Sequence, residues 1–137
     1  MTLLKAIQAK QLPGSDLTAD LVQQLEFLNS APIQQLLASA WGTVRATPAD
    51  KLALIATYKK LAESKAHPPA DVALGRAIFF KTCQKCHTLY GVGNKIGPDL
   101  TGSNRANLDY LLSNLVDPSA VMAKEYQPQV VGLDDGR

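Results

Sequence analysis

Cys83-Gln84-Lys85-Cys86-His87 holds both cysteines of the chain and one of its two histidines. On one helical turn the two thiols fall on the same side, and an imidazole follows at the next residue. The spacing has three chemical readings: covalent haem attachment, a dithiol redox pair, or half of a zinc site. A dithiol pair needs the motif at the start of a helix that follows a strand. Here residues 73–81 read as a helix before the motif, and a glycine-rich loop comes after it. Structural zinc takes four protein ligands, and the only other histidine, His67, lies sixteen residues before Cys83, a spacing of no common zinc module. The flanks therefore favour haem, with two thiols adding to the vinyl groups and His87 supplying the axial nitrogen.

Working outward, Gly75 and Phe79 leave a notch beside a large ring, which suits the close approach of another helix. Residues 88–104 contain Gly91, Gly93, Gly97, Pro98 and Gly102 and keep no period, so a loop is expected. Leu108, Leu111, Leu112 and Leu115 mark a short helix that Asp117-Pro118 stops, because proline disfavours helical geometry in the residue before it. Beyond Tyr126, Val130 and Val131 lead into Asp134-Asp135-Gly136, a hairpin turn signal without a return strand.

These residues carry a resemblance. Gly75-Arg-Ala-Ile-Phe79, Cys83-x-x-Cys-His87, Gly91-Val-Gly93 and Ile96-Gly-Pro-Asp-Leu-Thr-Gly102 resemble the haem-binding region of class I c-type cytochromes. Asn107-Leu-Asp-Tyr-Leu-Leu and Val116-Asp-Pro-Ser-Ala-Val-Met122 are similar to the haem-binding domain of Pirellula/Verrucomicrobium type, which often ends long proteins with a membrane-associated dehydrogenase-like part. The resemblance implies one covalently attached haem c, with thioethers at Cys83 and Cys86 and His87 as proximal iron ligand. Pro98 is then expected to offer its carbonyl to the second imidazole nitrogen, and Arg105 and Tyr110 are candidates to reach the propionates. Met122, 35 residues after His87, is the candidate sixth ligand; the other assignment is a core residue beside the haem. Relatives continue to a Met-Pro segment and a closing helix, so the haem-binding part is expected to be truncated near its C-terminus. His67 reads as solvated, Trp41 as core, and Lys124 and Tyr126 as exposed charge and ordinary packing, although both could ligate an iron that lacks methionine.

The first half is a run of helix patterns. Leu17, Leu21, Leu25 and Leu28 recur at helical spacing, with Asp16 or Thr18 available as cap. Pro32 suits a first turn, and Ile33, Leu36, Leu37, Ala40 and Trp41 form an amphipathic stripe. Thr47-Pro48-Ala49-Asp50 predicts a further helix, with Thr47 as cap, Pro48 at its first position and a stripe of Leu54, Ile55, Tyr58, Leu61 and Ala62. That pattern runs out at His67-Pro68-Pro69, where a domain boundary is placed. The expected fold is all-α: a helical lead-in over residues 1–70, then a class I cytochrome c-like domain over residues 71–137. About 70 residues bury little surface alone, so the lead-in is expected to pack on the second part or on sequence outside this chain.

At 137 residues the chain is too short for a large multidomain enzyme, and its 46% hydrophobic and 19% charged residues are those of a globular chain. Charge is 7 basic against 5 acidic over residues 1–70 and 7 against 7 over residues 71–137. That balance excludes a strongly basic face, so nucleic acid is not an expected partner. No apolar run nears the roughly 18 residues of a membrane span. The start, Met1-Thr-Leu-Leu-Lys5, lacks the pattern of a secretory signal. Covalent haem attachment nevertheless predicts the periplasm or the outer face of a membrane, with the export signal outside this chain. The expected function is one-electron carriage with no catalytic side chain, and the resemblance implies a dehydrogenase-type donor and a respiratory acceptor. The alternative is a five-coordinate haem c acting as a gas sensor or weak peroxidase.

Overall fold

The computed structural model of the chain describes residues 2–66 and 68–135. His67 and Gly136 of the sequence analysis lie outside the described residues. The chain is mostly helical, with helices α1 (Thr2–Gln8), α2 (Ala19–Phe27), α3 (Ala31–Leu36), α4 (Ala49–Glu63), α5 (Val72–Thr82) and α6 (Leu108–Val116). Two small antiparallel sheets correct the all-α expectation. One pairs β1 (Gly42–Val44) with β4 (Val121–Ala123), and the other pairs β2 (Thr88–Leu89) with β3 (Val92–Gly93) inside the predicted loop.

The β1–β4 ribbon forms because Thr43 and Val44 are β-branched and Gly42 has no side chain. A Cβ on Gly42 would lie 2.2 Å from the Met122 carbonyl oxygen, so only glycine lets the strands approach in this register. Arg45 N–H extends the ribbon by donating to the Ala120 carbonyl at 3.0 Å. Strands this short show no alternation in sequence, which is why a helical reading passes over them.

Helix starts follow local chemistry. The Thr18 hydroxyl accepts from Leu21 N–H on α2, the Asp71 carboxylate from Leu74 N–H on α5, and Asn107 from Tyr110 N–H on α6. Asp117 ends α6 just before Pro118, where the sequence places the stop. Two details differ from expectation. Pro48 occupies the N-cap of α4 with no side-chain cap bond, so that helix begins at Ala49. The stripe predicted on one α-helix is divided: α3 ends at Leu36, and Leu37–Trp41 continues as a π-helix whose wider turn delivers both Leu37 and Trp41 inward.

Those two residues, 0% and 2% exposed, centre a core completed by Leu4, Ile7, Leu17, Val22 and Ala123. Full burial of a side chain such as Leu37 contributes about 2 kcal/mol. The Trp41 indole N–H, which burial would otherwise leave unpaired, donates to the Leu17 carbonyl at 2.8 Å. Six of the seven core residues precede residue 42, and Ala123 is the contribution of the second half. The lead-in therefore packs on the second part.

Helix α4 lies along α6. None of its residues is fully buried, so its predicted stripe is covered only in part. Polar clamps secure the pair instead. Lys59 bonds both carboxylate oxygens of Asp109 at 2.7 and 2.8 Å. Asp117, its side chain 0% exposed, accepts two bonds from Arg45 at 2.8 Å and one from Lys51 at 2.6 Å. The notch at Gly75 is open: nothing lies within 4 Å of a Cβ built there. Among the described residues no helix is long and apolar enough to cross a membrane.

Candidate functional site

Helix α5 tightens at Cys83 into one 3-10 turn, Cys83–Lys85, and the carbonyl of Cys83 accepts from both Cys86 N–H at 3.1 Å and His87 N–H at 2.9 Å. That single carbonyl gathers the motif onto one turn of backbone. Cys83 is half-buried, Cys86 is exposed, and neither forms a disulfide. The Cys83 Sγ lies 3.5 Å from the Thr82 hydroxyl, which itself bonds back to Ile78.

The imidazole of His87 is fixed from two directions. Its Nδ1 is 2.9 Å from the Pro98 carbonyl oxygen. A carbonyl can only accept, so Nδ1 carries a proton, and in the neutral ring the lone pair then lies on Nε2. Gly97 lies flat against the ring: a Cβ there would be 2.7 Å from Cε1 and 2.9 Å from Nδ1. Gly97 N–H also donates to the Cys86 carbonyl at 2.7 Å, which ties the loop to the motif's own backbone.

Behind the motif the β2–β3 hairpin is braced by a residue that the sequence analysis did not single out. The Asn94 amide donates to the Lys85 carbonyl at 2.9 Å, its N–H bonds Gln84, and its own carbonyl accepts from the Thr88 hydroxyl. Gly93, at φ +125°, allows this, since a Cβ there would strike the His87 carbonyl at 2.2 Å. Asn94, placed directly after the Gly91-Val-Gly93 turn, was the available signal, but side-chain bridging to a helical turn leaves no periodic trace.

Arg105 is engaged by the loop. Its guanidinium donates to the Leu100 carbonyl at 2.9 Å, the Thr101 carbonyl at 3.0 Å and the Tyr90 hydroxyl at 3.1 Å, and it stacks over the Tyr90 ring at 5.3 Å. In this arrangement it braces the loop. Asp99 turns onto the amide and hydroxyl of Thr101, and those donors, helped by Lys95, hold its carboxyl below the usual range. Tyr110 stands half-buried on α6, where burial and the nearby Asp20 raise its phenol.

Met122 is half-buried on β4, opposite Thr43 of β1. Its neighbours Val121 and Ala123 turn to the N-terminal core, so strand alternation directs Met122 to the other face of the ribbon. The main contacts of β4 are with β1 and α2. Lys124 donates to the Ser39 carbonyl, while Tyr126 packs against the core around Trp41.

The residues present fit a covalently held haem. Two thiols and an imidazole with its lone pair on Nε2 share one turn, and Gly97 forms a cradle that any side chain would fill. Phe80, three residues before Cys83, and Ile96, beside Gly97, are 69% and 72% exposed. Among the described residues no three His, Cys, Asp or Glu side chains converge as a cage for a bare metal ion, so nothing there adds to the zinc reading. No family profile, curated protein or solved structure matches the chain.

Proposed function

We propose that the chain is a class I c-type cytochrome module with one haem, which carries single electrons between a dehydrogenase-type donor and a respiratory acceptor. The supporting observation is the bond from His87 Nδ1–H to Pro98 with Gly97 pressed on the ring, which leaves Nε2 as a preset donor beside two free thiols. Haem c, when bound, supplies a reversible one-electron couple. The protein's part is to tether through Cys83 and Cys86, to orient His87, and to raise the basicity of Nε2 through the Pro98 carbonyl. No side chain is assigned a catalytic role. Attachment of this kind takes place in the periplasm or at the outer face of a membrane, and that is the proposed location.

Expression with an export signal and a haem-attachment system tests the reading. We expect a red protein that stains for haem after denaturing electrophoresis and is heavier than the polypeptide by one haem. A colourless product with the bare polypeptide mass would overturn the proposal. The placement of Met122 on the β1–β4 ribbon favours a second reading in which methionine does not ligate, with a five-coordinate domain that binds small gases. A low-spin ferric spectrum with a thioether-to-iron band, abolished by Met122→Ala, supports carriage with Met122 as ligand. High-spin ferric haem and rapid carbon monoxide binding support the five-coordinate form.

A further inference from the structure

The N-terminal core opens on a cavity that shares no residue with the Cys83–His87 turn. It lies where the chain leaves α1, where the 3-10 turn Gly14–Asp16 packs against the 3-10 turn Lys124–Tyr126, and where the π-helix ends at Trp41. Its volume is about 400 Å³, within the range of sites for small molecules. Ile7, Ala40 and Trp41 form an apolar wall, and Lys10, Lys124 and Glu125 are the charged residues that line it.

These charges do not neutralise one another. Lys10 and Glu125 are exposed, and neither forms an ion pair among the described residues. Lys124 donates to the Ser39 carbonyl, a neutral partner, so its charge is not compensated by an acid. Gly14 fixes where the acid stands. A Cβ built on Gly14 would meet Glu125 Oε2 at 3.6 Å and Trp41 Cδ1 at 3.9 Å, so the carboxylate and the indole edge converge on one point of bare backbone. The indole N–H is already bonded to the Leu17 carbonyl, so the indole can offer a ligand only its carbon surface. Lys10 stands at φ +56°, a left-handed turn that carries the chain from the end of α1 toward Gly14.

A carboxylate, cations and an apolar wall on one cavity complement a small molecule that carries both charges and an apolar group. A plain carboxylic acid would meet Glu125 as a like charge, and a plain amine would meet Lys10 and Lys124 as like charges. We infer that this cavity is a binding site for a free α-amino acid with an apolar side chain. Glu125 takes its ammonium, Lys10 its carboxylate, and the wall of Trp41, Ile7 and Ala40 its side chain. The site stands whether or not the chain takes up haem.

Calorimetric titration of the full chain with L-phenylalanine, with amide and indole chemical shifts to locate it, is the test. Trp41 is the sole tryptophan, so its indole N–H gives one unambiguous signal. We expect saturable binding, with shifts at Trp41, along residues 7–14 and at residues 124–125. Phenylpropionate and phenethylamine, each lacking one of the two charges, should bind about tenfold more weakly or worse. Glu125→Gln should weaken L-phenylalanine and remove its advantage over phenylpropionate. Lys10→Gln should weaken it and narrow its advantage over phenethylamine. Gly14→Ala places a methyl at ordinary contact distance from both Glu125 and Trp41, so it should keep the wild-type circular dichroism and still weaken binding. Lys65→Gln, on the exposed segment after α4, should change nothing. No saturation at millimolar L-phenylalanine would overturn the inference, as would equal affinity for the three compounds or indifference to both Glu125→Gln and Lys10→Gln. Shifts centred on Tyr58, Leu61 and Leu115 would overturn it too, because they would seat the ligand in the apolar groove between α4 and α6.

Discussion

At the scale of the residue, His87 and Gly97 are one unit. The ring is held by the Pro98 carbonyl on one edge and by bare glycine backbone on its face, so its direction is set before any ligand arrives. Gly97→Ala introduces a methyl 2.7 Å from Cε1, and either the ring or the loop must move. Overpacking of this kind destabilises by about 1–3 kcal/mol. We expect a lower urea midpoint, and we expect reduced haem retention in protein matured with the attachment system. Wild-type values for both would mean that the ring does not depend on this cradle. The sequence identified His87 through its motif and Pro98 through resemblance, but Gly97 reads there as one loop glycine among several. Its contact is made across a ten-residue loop and leaves no local pattern.

At the scale of the element, α6 joins the two halves. Its N-cap is Asn107, its C-cap is Asp117, and its middle lies on α4. Asn107→Ala leaves the first-turn N–H groups to solvent and should cost about 1 kcal/mol, read as a shift in thermal midpoint. At the other end Asp117 is held far below the ordinary carboxylate range, first by hydrogen bonds from Arg45 and Lys51 and then by their charge. A depressed pKa adds stability that is fully present above the unfolded value near 4 and is lost as pH falls toward the folded one. Asp117→Asn should therefore be less stable than wild type by a constant margin from about pH 5 to 8, and the margin should narrow below about pH 4. Urea midpoints across that range check it. A margin that persisted unchanged at pH 2 would mean that the carboxylate's charge is not what secures the corner.

At the scale of the whole molecule, the halves share their structure. The second half supplies Ala123 to the main core, and the first supplies β1, α4 and both cations that meet Asp117. Residues 71–137 made alone would lose the partner of β4, the cover of α6 and the neutralisation of Asp117. We expect that fragment to show no cooperative thermal transition by circular dichroism, whereas the full chain shows one. A sharp transition in the fragment would mean that the linker at residues 67–69 is a folding boundary.

Sequence by itself determined what depends on neighbours along the chain: the start of α2 beside Asp16 and Thr18, the stop at Asp117-Pro118, and the thiol-thiol-imidazole turn. Each is set by bonds spanning a few residues, so it is written in local residue order. Tertiary structure alone decided that Met122 belongs to a ribbon with Thr43, that Arg45 and Lys51 meet Asp117, and that the π turn brings Leu37 and Trp41 inward. The pairings of Met122 and Asp117 join residues more than sixty positions apart, where burial and charge compensation choose among partners that no local pattern distinguishes.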